Sequence, residues 1–318
     1  MNNDILVTLL LGGIAYGTPL LLAGLGELLA ERGGVLNLGI EGMMLIGAAA
    51  GFWTVQAMSG PTWIVLLISV IVAALAGAAA ALLFAIVCFV WRGNQVVAGL
   101  ALTIFGGAAG LSSFLASEGH LAGVAAKHQF ANLNIAGLKH VSFFGPVILD
   151  QNALVYFSWA LTIAVALYLY HTRYGLHLRA VGEDPAAADA MGVNVSAYRY
   201  THTIVGGALA GIGGAFYSEA LTPNWSNGLT AGAGWIALGL VIFAFWKPGL
   251  LLIGSYLFGI VTSLGFTLQS RGVHLPPELF SALPYIAVVI VLVAASSIWR
   301  GRRLGAPSAL GSFYSREG

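Results

Sequence analysis

The chain has little charge. Of its 318 residues, 13 are Lys or Arg and 12 are Asp or Glu, so only 8% carry a formal charge, while 58% are hydrophobic and mean hydropathy is +0.89. A soluble domain carries roughly 25% charged residues. So few charges cannot cover a soluble surface of this size, which excludes a soluble fold and implies a polytopic membrane protein. A net charge of only +1 argues against a nucleic-acid partner. Cysteine is nearly absent. Cys88, inside an apolar run, can form no intramolecular disulfide and reads as a small core residue. No basic residue precedes Arg32, so the charged n-region of a cleavable signal peptide is missing and the first apolar segment is expected to persist. A G-x-x-x-x-G-K-[ST] phosphate loop is also missing.

What is abundant is apolar sequence in long runs. A helix crossing a bilayer needs about 20 mostly apolar residues. Nine segments qualify: Ile5–Gly26, Ile40–Met58, Trp63–Trp91, Val96–Leu115, Ala153–Tyr170, Tyr200–Glu219, Gly232–Trp246, Leu250–Gln269 and Ala282–Trp299. The expected fold is an all-α polytopic bundle of about nine (8–10) transmembrane helices, forming one domain over 1–318. The seventh segment is short and reads as broken or re-entrant. The basic residues orient the bundle. Placing Arg32, Arg92, Arg173, Arg179, Arg199, Lys247, Arg300, Arg302, Arg303 and Arg316 in the cytoplasm leaves only Lys127, Lys139 and Arg271 outside, a clear positive-inside bias. The N-terminus is then external, and the 300–318 tail is cytoplasmic. The 116–152 segment is an external loop whose His120, His128 and His140 fit no compact metal site.

Glycine is plentiful, at 43 residues. In IVGGALAGIGGAF, the pairs Gly207–Gly211, Gly206–Ala210 and Ala210–Gly214 are small residues four apart, a spacing that lets helix backbones approach closely. Two further stretches interrupt the apolar pattern: Gly26–Met44 and Ser218–Trp235. Each follows a Gly-rich helix and precedes a short apolar one, a faint two-half pattern. Irregular backbone at membrane depth must line a cavity or be buried in protein. Asn37 and Glu41 share a helix face. Glu41 is either a functional carboxylate at depth or an interfacial cap for the helix that starts there. Asn224, Trp225 and Asn227 suit stacking a ring and bonding a polyol, or else Trp225 is an interfacial anchor.

One internal stretch concentrates charge. Thr172–Arg199 holds Arg173, Arg179, Glu183, Asp184, Asp189 and Arg199. Within it, GEDPAAADAMG has the punctuation of a short helix. Glu183 and Asp184 put negative charge at its start, Pro185 fits the first helical position, and Gly192 fits the stop. Ala186, Ala187 and Ala190 give it a smooth face. A helix of about two turns is barely stable alone, so it is expected to dock on a partner.

Four segments carry a resemblance: Gly17–Ala48 (GTPLLLAGLGELLAERGGVLNLGIEGMMLIGA), Arg92–Gly106 (RGNQVVAGLALTIFG), Gly175–Val195 (GLHLRAVGEDPAAADAMGVNV) and Pro307–Gly318 (PSALGSFYSREG). The chain resembles permease subunits of ATP-binding cassette (ABC) importers in the branched-chain amino acid, simple-sugar and nucleoside superfamily, nearest the nucleoside (simple-sugar) branch. The resemblance implies a coupling helix formed by Glu183, Asp184, Pro185, Ala186, Ala187, Asp189, Met191 and Gly192, seated in a groove of a separate ATPase subunit that holds ATP and Mg. The chain itself would carry no cofactor. It further implies a second, paralogous permease, an external substrate-binding lipoprotein or periplasmic protein, and a bacterial inner membrane. The substrate path would involve Asn37, Glu41, Asn94, Gln95, Asn224, Trp225 and Asn227, with nucleosides as solute and simple sugars or nucleobases as alternatives. Glu219 departs from the family pattern and would alter ligand choice if it faced the entrance.

Two readings from other classes compete. An ion-coupled secondary transporter would want ionisable side chains deep within helices, and such charges look scarce. An intramembrane hydrolase would want Ser and His at catalytic spacing, and His202 has no such partner in the sequence.

Overall fold

The computed structural model describes residues 2–107, 109–133, 145–270, 276–298 and 305–314. Twelve α-helices occur among them: α1 Asn2–Arg32, α2 Ile40–Ala57, α3 Thr62–Ala85, α4 Gln95–Gly106, α5 Leu111–Glu118, α6 Ala153–His171, α7 Arg173–Glu183, α8 Pro185–Ala190, α9 Val195–Phe216, α10 Ala233–Phe243, α11 Pro248–Ser270 and α12 Pro277–Ile298. π-Helical turns extend α3 through Ile86–Val90 and α9 through Tyr217–Leu221. No strand forms among the described residues.

Among the described residues, six segments are long and apolar enough to span a bilayer: Ile5–Arg32, Thr62–Val90, Gln95–Glu118, Ala153–His171, Val195–Leu221 and Pro248–Ser270. The sequence count of nine is therefore met only in part. The expected segments Ile40–Met58 and Ala282–Trp299 correspond to α2 and, over the described residues, to α12, but neither helix is among the six. Gly232–Trp246 yields α10, whose 11 residues cover only about 16 Å at 1.5 Å per residue.

The centre of the bundle is α9, packed on α1, α2 and α3. Its glycines make this possible. A Cβ on Gly206 would strike Gly26 of α1, one on Gly207 or Gly211 would strike Gly77 or Ala73 of α3, and one on Gly214 would strike the Met44 carbonyl of α2. Without side chains at these positions the backbones touch, and lipid-free van der Waals contact replaces the hydrophobic drive that a bilayer cannot supply. Gly26 is thus a contact point rather than a break, and α1 continues to Arg32. The irregular part of Gly26–Met44 is confined to 33–39. In Ser218–Trp235 the helix likewise runs on to Leu221, and the irregular part is 222–232.

Basic side chains collect at one end of the bundle. Arg32 donates to the Trp246 carbonyl (2.9 and 3.2 Å), Arg199 donates to the carbonyls of Gly33 (3.3 Å) and Ser312 (3.0 Å), and Arg92 lies over the Phe313 ring (5.3 Å). Lys247, in the α10–α11 turn beside Trp246, and Arg173 and Arg179 of α7 share this end. Lys127 lies at the other, where it donates to the Gln56 carbonyl. Lys139, His140, Arg271, Arg300, Arg302, Arg303 and Arg316 fall outside the described residues. At Lys127's end the 119–133 segment is ordered. Ala126 N–H donates to the Pro223 carbonyl (2.9 Å), Phe130 N–H to the Glu219 carbonyl (3.0 Å), and His128 Nδ1 meets Thr62 Oγ1 at 3.0 Å. His120 is exposed, and no metal-binding cluster occurs among the described residues.

Candidate functional site

The charged stretch Thr172–Arg199 is two helices and the start of a third. α7 begins at an N-cap, Thr172, whose hydroxyl accepts from Gly175 N–H (3.0 Å). Asp184 caps α8 by accepting from Ala187 N–H (3.0 Å), Pro185 takes the first helical position, and Gly192 closes it at φ +84°. Each of these follows the expected physics: the carboxylate meets the helix's unpaired N–H groups, and only glycine enters the left-handed region without cost. Glu183 differs from expectation. It ends α7 instead of opening α8, and its carboxylate accepts from Ser308 Oγ at 2.9 Å. Ala188 is buried against Val181 and Val195, while Ala186, Ala187, Ala190 and Met191 face outward and Asp189 is half-buried. Met191 is 84% exposed.

The chain's 305–314 tail straps this platform to the bundle. Ala309 N–H donates to the Gly182 carbonyl (2.9 Å) and Gly311 N–H to the Gly34 carbonyl (3.0 Å). The tail and the buried Arg199 thus tie α7 and α9 to the 33–39 turn.

The polar residues singled out within the spans serve the scaffold. Asn94 caps α4, accepting from Val96 and Val97 N–H (3.0 and 3.2 Å), and Gln95 accepts from Leu36 N–H (2.8 Å). Asn37 donates from its backbone to Glu27 (3.1 Å) and accepts from Gly39 N–H (3.0 Å). Glu41 accepts from Thr230 Oγ1 (2.6 Å), Gly232 N–H (3.0 Å) and Gly234 N–H (2.6 Å). It therefore caps α10 rather than its own helix, and its charge sits at the positive end of the α10 dipole. Glu41 thus joins the start of α2 to the irregular segment 222–232 and the first turn of α10. Trp225 is buried against Phe52 and donates to Asn227 (3.1 Å), which in turn donates to Ser113 (3.2 Å). Asn224 is exposed. None of these seven lines either of the two cavities below.

Buried carboxylates prove more numerous than the sequence suggested. Glu27, Glu31 and Glu219 are each at most 1% exposed. Glu31 accepts from the Trp246 indole, and Glu219 pairs with Ser69 between α2 and α3. Glu219 faces these helices, not an entrance. The scarcity of buried charge that argued against an ion-coupled transporter is thus not borne out.

A cavity of about 450 Å³ lies between α1, the end of α9, α10, α11 and α12. Its polar lining is Tyr16, Tyr217, Thr222, Thr230, Thr262, Gln269 and Tyr285, and its apolar lining includes Leu20, Ile236, Phe266 and Phe280. The Tyr16 and Phe266 rings stack at 5.4 Å. A second cavity of about 640 Å³, lined by Asn132, Gln151, Asn152 and Thr267 among others, shares Tyr16, Leu221 and Phe266 with the first. Both volumes suit a small solute. The π-turn Tyr217–Leu221 sorts its side chains, with Tyr217 and Leu221 toward the cavity and Ser218 and Glu219 into the scaffold. Sequence reasoning missed this site because its residues stand singly on separate apolar helices. The available signal was Thr262 and Gln269 in α11 and Tyr217 beside Glu219.

Residues 9–292 match the family described as branched-chain amino acid transport system / permease component. The chain belongs to that family. This permease is 38% identical to a provisionally assigned glucose ABC transporter permease protein, TsgC13, of Haloferax volcanii, covering 96% of each chain. It is 34% identical to the nucleoside ABC transporter permease protein NupC of Lactococcus lactis, over 95% of this chain and 94% of that one. It is 30% identical to the guanosine ABC transporter permease protein NupQ of Bacillus subtilis, with the same coverage. The permease is a membrane-embedded ABC transporter subunit, which works with ATPase partners and a substrate-binding protein.

Proposed function

We propose that this permease translocates nucleosides through the tyrosine-lined cavity, driven by ATPase subunits that dock on α8. The observation that carries the reading is the cavity itself, which is sized for one small solute, has no charged side chain among its described lining residues, and presents three tyrosines and three threonines. Aromatic rings stack a base, and hydroxyls bond a ribose. The likeness to a nucleoside and a guanosine permease along nearly the whole chain supports that substrate. The 38% likeness to a glucose permease favours simple sugars as the second reading.

In this reading the arginine-bearing end is cytoplasmic. The smooth outward face of α8 enters the ATPase, which holds ATP and Mg, and this chain itself is non-catalytic. The N-terminus is external, α2, α12 and the 222–246 segment that contains α10 complete nine crossings, and a paralogous permease forms the other half of the translocator. The membrane is a bacterial inner membrane, and an external lipoprotein or periplasmic protein delivers the solute.

The test is ATP-dependent uptake by the full complex in proteoliposomes, with guanosine, adenosine and glucose each as labelled solute. Saturable nucleoside uptake that unlabelled glucose does not inhibit is the expected result. Glucose uptake without nucleoside uptake would overturn the nucleoside assignment.

A further inference from the structure

Four of the six hydroxyl groups around the smaller cavity share one polarity. Thr262 Oγ1 lies 3.0 Å from the Phe258 carbonyl, Thr222 Oγ1 lies 3.0 Å from the Tyr217 carbonyl, and Tyr285 Oη lies 2.6 Å from the Ala231 carbonyl. A carbonyl oxygen can only accept, so each hydroxyl spends its single hydrogen on the protein. Thr230 is in the same position. Gly232 and Gly234 N–H groups can only donate, which makes Glu41 an acceptor on both oxygens, and Thr230 donates to it as well (2.6 Å). Four lining hydroxyls therefore offer only lone pairs to a ligand.

The electrostatics point the same way. Among the described residues no Lys, Arg or His lines the cavity, and the charged group behind Thr230 is the Glu41 carboxylate. A buried anion with no partner loses several kcal/mol of hydration that nothing here returns. A ligand bearing hydroxyl donors meets acceptors already in place on these four side chains.

We propose that this cavity is a hydroxyl-reading site, which binds an uncharged hydroxylated solute by accepting its O–H groups on Thr262, Thr230 and Tyr285 and which turns away anions. The proposal deepens the nucleoside reading and rests on the cavity being the transport path. It assigns the permease itself, and not only the external binding protein, a part in rejecting phosphorylated solutes.

Thr262 gives the cleanest test, because its own hydrogen bond is to the preceding turn of α11, which closes without it. In the reconstituted complex, Thr262→Val keeps the side-chain shape and removes the acceptor. Half-saturating guanosine for uptake is expected to rise about fivefold, within the range for one neutral hydrogen bond, with Thr262→Ser restoring it. The same variant is expected to change uptake of 2′,3′-dideoxyguanosine less than twofold, since the binding protein's own selectivity cancels in the variant-to-parent ratio. Guanosine 5′-monophosphate is expected neither to enter nor to compete. Equal losses for guanosine and its dideoxy analogue, no loss for either, or entry of the monophosphate would each overturn the proposal. If the parent complex carries glucose and no nucleoside, the nucleoside reading falls alone. The variant is then compared on glucose and its monodeoxy analogues, where a loss confined to hydroxyls supports the site and a uniform loss or none refutes it.

Discussion

Replacing Ala187 by arginine is expected to leave the permease folded in the membrane and to cut ATP-driven uptake about a hundred-fold. The Ala187 side chain is exposed on α8, and its N–H is bonded to the Asp184 cap. An added side chain leaves that backbone bond intact, so folding is spared. The face it alters is otherwise Ala186, Ala190 and Met191, small or flexible apolar groups suited to a close-fitting groove. A long charged side chain in such a groove is overpacked and desolvated together. A loss of about 3 kcal/mol in docking is ordinary for a central contact of an interface. The measurement is paired: uptake into proteoliposomes, and ATP hydrolysis by the assembled complex with and without loaded binding protein. Uptake near the parent level would mean that α8 does not transmit the motor's work.

The second large effect is expected within the bundle. Gly211→Leu should abolish accumulation of folded permease. At Gly211 even a Cβ would collide with the Ala73 carbonyl of α3, and Gly47 of α2 approaches the same turn. Three helix backbones converge on that position, and backbone cannot step aside as a flexible side chain can. Overpacking a core costs about 1–3 kcal/mol where side chains can adjust, and here the neighbours must separate. Detergent-extracted variant should elute as aggregate in size-exclusion chromatography, with monodisperse yield at least about tenfold below the parent. Gly192→Ala is the contrast, because a Cβ there meets nothing and the strain is local to a φ of +84°. A monodisperse, active Gly211→Leu protein would show that the interlock at the centre of the fold is not needed.

These two predictions differ in how far the sequence alone could reach them. The Asp184–Pro185 start and the Gly192 stop act over single turns, so the short helix could be read directly. The small residues of α9 were recognisable by their spacing, although not the partner each would meet. Other features were hidden because their partners are distant in the chain. Glu27 and Glu31 look out of place in an apolar run until Asn37 and Trp246 supply their donors. Glu41 seemed to belong to the start of α2, yet the groups it satisfies are Thr230, Gly232 and Gly234. Trp225 and Asn227 had the chemistry of a ligand contact, but Phe52 and Ser113 take up that chemistry. The cavity needed α1, α9, α11 and α12 in place before Tyr16, Tyr217, Thr262 and Tyr285 could meet. A tyrosine or threonine alone in a greasy helix carries no mark of what it will face.

The central claim is that the exposed turn of α8 is where an ATPase subunit docks. The most direct measurement uses the chain's single, buried cysteine. Cys88 is 1% exposed, so a single cysteine placed at Met191 is the accessible thiol of this chain expected to react. In the assembled complex, Met191→Cys should crosslink to the ATPase subunit through a short thiol-to-amine reagent, and Asn224→Cys at the opposite end should not. A crosslink from position 224, or none from position 191 in a complex shown to be intact, would contradict the account.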